Sequence, residues 1–137
     1  MKQIAFVHDQ QESPAPRVQF LEQYGYQVNL FANVAECLDV IRQDKPDLLL
    51  LDILLEGENG FEFTRSVRRF YSSSDLPIIL MSKIYRSRAF REEAKSAGAQ
   101  AYFLRPVKLE ELAREVQELC VDDLPSLPKI TKDERAA

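Results

Sequence analysis

Residues 48–60 read LLLLDILLEGENG. Leu48 to Leu51 form an unbroken apolar run that ends on an acid, Asp52. Continuous apolarity, rather than alternation, marks a strand buried on both faces, as at the centre of a parallel sheet. An acid at the carboxyl end of such a strand, followed by a loop and Asn59-Gly60 at a helix start, lies where open α/β sheets place their ligands. A carboxylate there is suited to act as a nucleophile, a metal ligand or both.

Outward from this stretch, strand and helix signals alternate five times. Ile4 to Val7 is a short apolar run that ends at His8-Asp9. Ser13 reads as a helix N-cap with Pro14 at the first helical position and Gly25 as the stop; Val18, Leu21 and Tyr24 give that helix its apolar stripe. Tyr26, Val28 and Leu30 alternate with polar residues, as in a strand with one less buried face. Asn33 with Glu36 makes a capping-box pattern, ahead of Val34, Cys37, Leu38 and Ile41 on one helical face. Pro46 ends this helix.

After the leucine run, Asn59 and Glu62 predict a third capped helix with Phe63, Val67 and Phe70 inward. Residues 72–75 are a loop, and Pro77 to Met81 is a fourth strand. The next helix runs from about Ser87 to Ala97 and is stopped by Gly98. Ala101 to Leu104 is the fifth strand, and Leu109, Leu112, Val116 and Leu119 mark the last helix. The expected fold class is α/β: a flavodoxin-like, doubly wound (βα)5 unit with a five-stranded parallel sheet in the order 2-1-3-4-5. The domain spans 1–120. Residues 121–137, with Pro125, Pro128, many charges and no apolar period, read as a flexible C-terminal tail or the start of a linker.

The 137 residues suit one domain with a real core. A net charge of −4 argues against direct nucleic-acid binding. No run reaches membrane-spanning length and the N-terminus reads as a strand, so the expected address is cytoplasmic. Cys37 and Cys120 lie far apart and read as buried thiols on helix faces, without a zinc or redox role.

The topology gathers strand-end polar residues on one edge: His8 and Asp9, Asp52, Ser82, and Arg105. In this order and on five β–α units, the chain resembles a response-regulator receiver domain, the phosphoacceptor module of two-component signalling. The likeness covers about residues 2–120. It rests on Phe6-Val7-His8-Asp9, Leu51-Asp52 with Gly60, Met81-Ser82, and Gly98-Ala99 through Tyr102 to Arg105-Pro106. The resemblance implies that Asp52 accepts a phosphoryl group from a histidine kinase or phosphotransfer protein. It implies magnesium held by Asp9, Asp52 and the Leu54 backbone carbonyl, with His8 as a further contact through water. Ser82 matches the hydroxyl that bonds the phosphoryl group, and Tyr102 matches the aromatic whose rotamer follows it. Arg105 stands where a lysine pairs with the phosphoryl oxygens. The partners implied are the kinase and a downstream protein that reads the face of the fourth helix, fifth strand and fifth helix; a homodimer through the basic face is compatible with this.

The chain departs from the family pattern around that acid. His8 replaces the first acid of a pair, so two acids face a divalent ion and an arginine. At about 6 Å and an effective dielectric of about 20, a unit-charge pair is worth roughly 3 kcal/mol before solvation, so magnesium binding should weaken. His8 reads as a tolerated polar neighbour, with a pH-sensing or soft-metal role as the sharper alternative. Arg105 keeps the lysine's charge but not its geometry; it grips phosphoryl oxygens or forms a standing salt bridge to Asp52. Lys83 covers the site, substitutes for the lysine, or is solvated. Glu56 replaces a common proline. Leu54 and Ile84, apolar beside the pocket, would hinder an attacking water. Lys83, Arg86, Arg88 and Arg91 make the start of the fourth helix basic, either as a solvated face or as a docking face.

The leading expectation is a phosphorylatable receiver, a switch and not a turnover enzyme. The alternative is a pseudo-receiver: an interaction module with impaired or absent phosphorylation, held in one state by Arg105 or Lys83. A small flavodoxin-like enzyme lacks support, because there is no glycine-rich phosphate loop and no nucleophile–base pair.

Overall fold

The computed structural model describes residues 1–55, 58–84 and 87–120. Glu56, Arg86 and the expected tail over 121–137 lie outside them. Among the described residues, the main strands and helices alternate: β1 (Gln3–Val7), α1 (Ala15–Gln23), β2 (Gln27–Phe31), α2 (Val34–Gln43), β3 (Leu48–Asp52), α3 (Gly60–Arg68), β4 (Ile78–Ser82), α4 (Arg88–Ala97), β5 (Ala101–Leu104) and α5 (Leu109–Leu119). The five strands are parallel and lie in the order 2-1-3-4-5, as expected.

The leucine run shows why it needed to be continuous. Leu48 and Leu50 face one side, with Phe6, Leu21, Met81 and Val116. Leu49 and Leu51 face the other, with Val7, Ile41, Phe61 and Leu80. All four are fully buried, and each contributes roughly 1.5–3 kcal/mol by burial. Two layers of helices therefore clamp a sheet whose central strand has no wet face. Cys37 is buried in the second layer, and burial, with Glu36 nearby, pushes its thiol up to about 12. Cys120 is buried at the end of α5.

Local signals set the helix ends. The Asn33 side chain accepts from the Glu36 N–H at 2.8 Å, and the Asn59 side chain accepts from Phe61 and Glu62 N–H. Gly98 closes α4 in the left-handed region at φ 112°. The start of α1 slips by one residue: Pro14 is the cap position, and Ser13 Oγ accepts from the Ala15 N–H at 3.2 Å.

Two expected core positions are corrected. Leu30 is 45% exposed, because β2 is an edge strand and its alternation carries Leu30 beyond the helix cover. Phe70 is 46% exposed; α3 ends at Arg68, so helical phase no longer turns Phe70 inward, and its ring packs under the Arg42 guanidinium at 4.3 Å. One feature was unexpected. Leu54–Leu55 and Glu58–Asn59 pair as a short antiparallel ladder between β3 and α3. Among the described residues, no helix is long and apolar enough to cross a membrane.

Gly60 anchors this loop. Its N–H donates to the Ile53 carbonyl at 2.9 Å, and a Cβ there would come within 2.7 Å of the Ile53 Cα. Backbone cannot yield as a flexible side chain does, so Gly60→Ala is expected to lower unfolding free energy by about 1–3 kcal/mol. Urea denaturation checks this; an unchanged midpoint would show that the loop shifts freely.

Candidate functional site

β1 and β3 are neighbours with Val7 opposite Leu51, so His8, Asp9 and Asp52 emerge side by side. β4 brings Ser82 on the other flank, and Arg105 follows Leu104, the partner of Ser82. The Arg105 N–H donates to the Ser82 carbonyl at 2.8 Å. The polar strand ends expected from the sequence therefore do converge on one edge.

Asp52 has no solvent exposure. Its Oδ2 accepts from the Asp9 N–H at 2.6 Å. Arg17 grips the same carboxylate with two prongs: Nη1 donates to Oδ1 at 2.9 Å and Nη2 to Oδ2 at 3.4 Å. Arg17 is itself buried. Its guanidinium lies 4.7 Å from the Phe6 ring centroid, and Nη1 also reaches the Met81 sulfur at 3.4 Å. A planar, weakly hydrated guanidinium is suited to such a stacked, two-pronged site. Sequence reasoning missed Arg17. The signal was its spacing: it precedes the buried Leu21 by four positions and so shares the inward face of α1, where an arginine is rarely found without a partner.

Arg105 engages the other acids. Nη2 donates to Asp9 Oδ2 and Nη1 to Glu12 Oε2, each at 3.1 Å. Its Nε is buried 3.7 Å from Asp52 Oδ1, with no hydrogen-bond partner among the described residues. Asp52 therefore stands in two ion pairs, a short two-pronged one to Arg17 and the expected one to Arg105, longer at 3.7 Å. Lys83 Nζ sits 3.1 Å from Glu12 Oε2 and 3.7 Å from Asp9 Oδ2. It pairs with the acids from the solvent-exposed side of the pocket. Glu12 is a second residue the sequence reading passed over.

The charge count changes accordingly. Asp9, Glu12 and Asp52 face Arg17, Arg105 and Lys83, so the described cluster sums to zero. Burial pushes the Asp9 carboxyl up, but the Gln11 N–H, the Arg105 hydrogen bond and the charges of Arg105 and Lys83 bring it below the usual range. Glu12 is lowered chiefly by its bond from Lys83, against a burial penalty, with help from the charges of Arg105, Lys83 and Arg17.

The remaining expected residues sit at the rim. His8 Nδ1 lies 3.3 Å from the Asp9 carbonyl, with its ring edge-on to Phe6, which suits the reading as a polar neighbour. Ser82 is buried, and its Oγ accepts from the Ile84 N–H at 3.2 Å. Tyr102 is half-buried, and the Arg91 guanidinium lies 5.6 Å from its ring centroid. Of the basic run, Lys83 therefore belongs to the pocket and Arg91 to Tyr102, while Arg88 pairs with Glu92 at 3.3 Å. Leu54 opens the short ladder after Asp52.

A divalent ion on Asp9 and Asp52 would need open carboxylate oxygens. Asp52 Oδ1 and Oδ2 are held by Arg17 and the Asp9 N–H. Asp9 Oδ1 accepts from the Gln11 N–H at 2.8 Å, and its Oδ2 is held by Arg105. Among the described residues, no group of three or more His, Cys, Asp or Glu side chains is arranged to hold a metal ion. As arranged, these residues do not fit magnesium.

Comparison with known proteins bears on the domain as a whole. The family model described as a response regulator receiver domain matches residues 4–117. Protein PilH of Pseudomonas aeruginosa is 30% identical over 116 residues, covering 85% of this chain and 95% of that protein. Response regulator MprA of Mycobacterium avium is 36% identical over 95 residues, 69% of this chain but only 40% of that protein. Among solved structures, a CheY-like response regulator receiver domain protein from Methanospirillum hungatei superposes with a TM-score of 0.76 at 28% identity, covering 86% of this chain and 92% of that one.

Two stability predictions follow from the charge cluster. Asp52→Ala leaves a buried guanidinium without its partner and is expected to cost about 3–5 kcal/mol in urea denaturation. Glu12→Gln, at the exposed end, should cost about 0–1 kcal/mol; equal losses would show that Arg17 finds another partner. Asp9 and Glu12 both titrate below the usual carboxylate range when folded. Their stabilisation is fully present above that range and is lost as pH falls through the depressed values. Melting temperature should therefore drop in acid, and Glu12→Gln should flatten part of that drop.

Proposed function

The chain belongs to the response regulator receiver family, and we propose that it serves there as a partner-binding module whose acceptor pocket is held shut by its own ion pairs, with impaired phosphorylation at Asp52. Receiver domains are signalling modules that interact with histidine kinases or phosphotransfer proteins and with downstream partners, and they typically bind magnesium at the acidic pocket. The observation that supports impairment here is the two-pronged grip of Arg17 on a carboxylate with no exposure. An oxygen that must attack phosphorus is already committed to a cation, and freeing it strands a buried charge. Arg17 thus adds to the expected lock: Arg105 makes a longer ion pair to Asp52, and both Arg105 and Lys83 hold Asp9 and Glu12.

The module acts as a switch or scaffold rather than a turnover enzyme, in the cytoplasm, with the domain over 1–120 and a tail or linker beyond. Its reading face is α4, β5 and α5. Supporting this, Arg91 of α4 lies over Tyr102 of β5, which joins the basic helix to the half-buried aromatic. A second copy of the chain or a downstream protein is the occupant of that face.

A specific observation favours the second reading, phosphorylation of Asp52 with Ser82, Arg105 and Tyr102 in the family roles. Ser82, Asp52 and Arg105 share one sheet edge, and the buried Arg105 Nε already points toward Asp52 at 3.7 Å. Incubation with a small phosphodonor and magnesium, followed by intact mass, separates the two. Little adduct is expected on the wild type, and Arg17→Ala should label at least about tenfold faster at Asp52. Full labelling of the wild type at the rate of Arg17→Ala, abolished by Asp52→Asn, would put the second reading in place of the first.

A further inference from the structure

We infer that Arg17 is a tethered replacement for the divalent cation of this pocket, so that its charge is complete without metal and removing Arg17 opens a divalent-cation site on Asp9 and Asp52. The inference rests on the closed-pocket reading above and deepens it.

Three observations carry it. First, Arg17 is not a surface side chain that happens to reach inward. It is buried, stacked on Phe6, and in contact with the Met81 sulfur, so its stem and its head are both held. Second, its two donors cover both oxygens of Asp52. A cation seated there does the neutralising work that a metal would do, at the carboxylate a metal would need. Third, this one residue decides whether the cluster is neutral. With Arg17 the described acids and bases cancel. Without it, Asp9, Glu12 and Asp52 face only Arg105 and Lys83, and the cluster becomes net negative. An ion entering the intact pocket would have to turn a buried guanidinium out of its pair; an ion entering the variant would meet a carboxylate held only by the Asp9 N–H and the longer Arg105 ion pair.

Arg105 plays this part less fully. Its two Nη groups bond Asp9 and Glu12, and its Nε makes only a 3.7 Å ion pair to Asp52, without a hydrogen bond. Lys83 is more exposed and does not reach Asp52 within ion-pair distance among the described contacts.

The test titrates Mn2+ into the full chain and follows the free ion by electron paramagnetic resonance. Arg17→Met keeps an apolar stem over Phe6 and removes the charge. The wild type should show no saturable binding up to about 10 mM, whereas Arg17→Met should bind at least about tenfold more tightly. Adding Asp52→Asn to Arg17→Met should remove the gained binding. Equal affinity of wild type and Arg17→Met, or gained binding that survives Asp52→Asn, overturns the inference. A measurement on the wild type alone covers a variant that fails to fold. About 10 mM Mg2+ should leave its melting temperature unchanged, and a rise of several degrees overturns the inference. Failure here is separable from failure of the functional reading. A wild type that binds Mn2+ yet resists the phosphodonor sinks only this inference, and one that is phosphorylated in the presence of a chelator sinks only the other.

Discussion

A carboxylate sealed from water has to be neutralised where it stands or give up its charge, and in this fold the carboxylate is Asp52. The neutralising group is Arg17, brought in by α1 across the face of Phe6. Much of the site's organisation follows from that pair. With Asp52 committed to Arg17, Arg105 turns to Asp9 and Glu12, and Lys83 folds over the same two acids. The pocket becomes a closed ring of alternating charge rather than an open anionic cup.

The sheet makes this arrangement possible. A central strand with two dry faces can place an acid at its end under complete cover, because helices pack on both sides. The same cover excludes water from the Arg17–Asp52 pair, which strengthens that attraction and raises the cost of leaving either partner alone. A buried pair is therefore weak support for stability over an apolar substitute, yet a strong constraint on which single changes the pocket tolerates. Membership of the receiver family gives the edge its expected use.

The connection outward runs along β5. Ser82 and Leu104 are register partners, and Tyr102 lies two residues before Leu104 under Arg91 of α4. A charge run that read as one basic face divides in space between a pocket residue, a ring contact and a helix-surface pair. Sequence proximity grouped side chains that the fold sends in different directions.

Period and punctuation were enough to read most of the architecture. The leucine run marked the central strand, Asn33 and Asn59 marked two helix starts, Gly98 marked a stop, and the order of units implied a parallel sheet. These signals are local, so they survive without coordinates. Leu30 and Phe70 were misplaced because burial depends on where a sheet ends and where a helix stops, and local period does not report either. The strand-end residues of the site were legible for the same reason as the strands. Arg17 and Glu12 were not, since a charged residue early in a helix or loop reads as solvated until the tertiary structure shows what it faces. The sequence by itself determined the fold and the identity of the central acid. Only the tertiary structure decided which cation holds that acid, because ion pairing at Asp52 depends on the packing of α1 against a strand-end carboxylate 35 positions away.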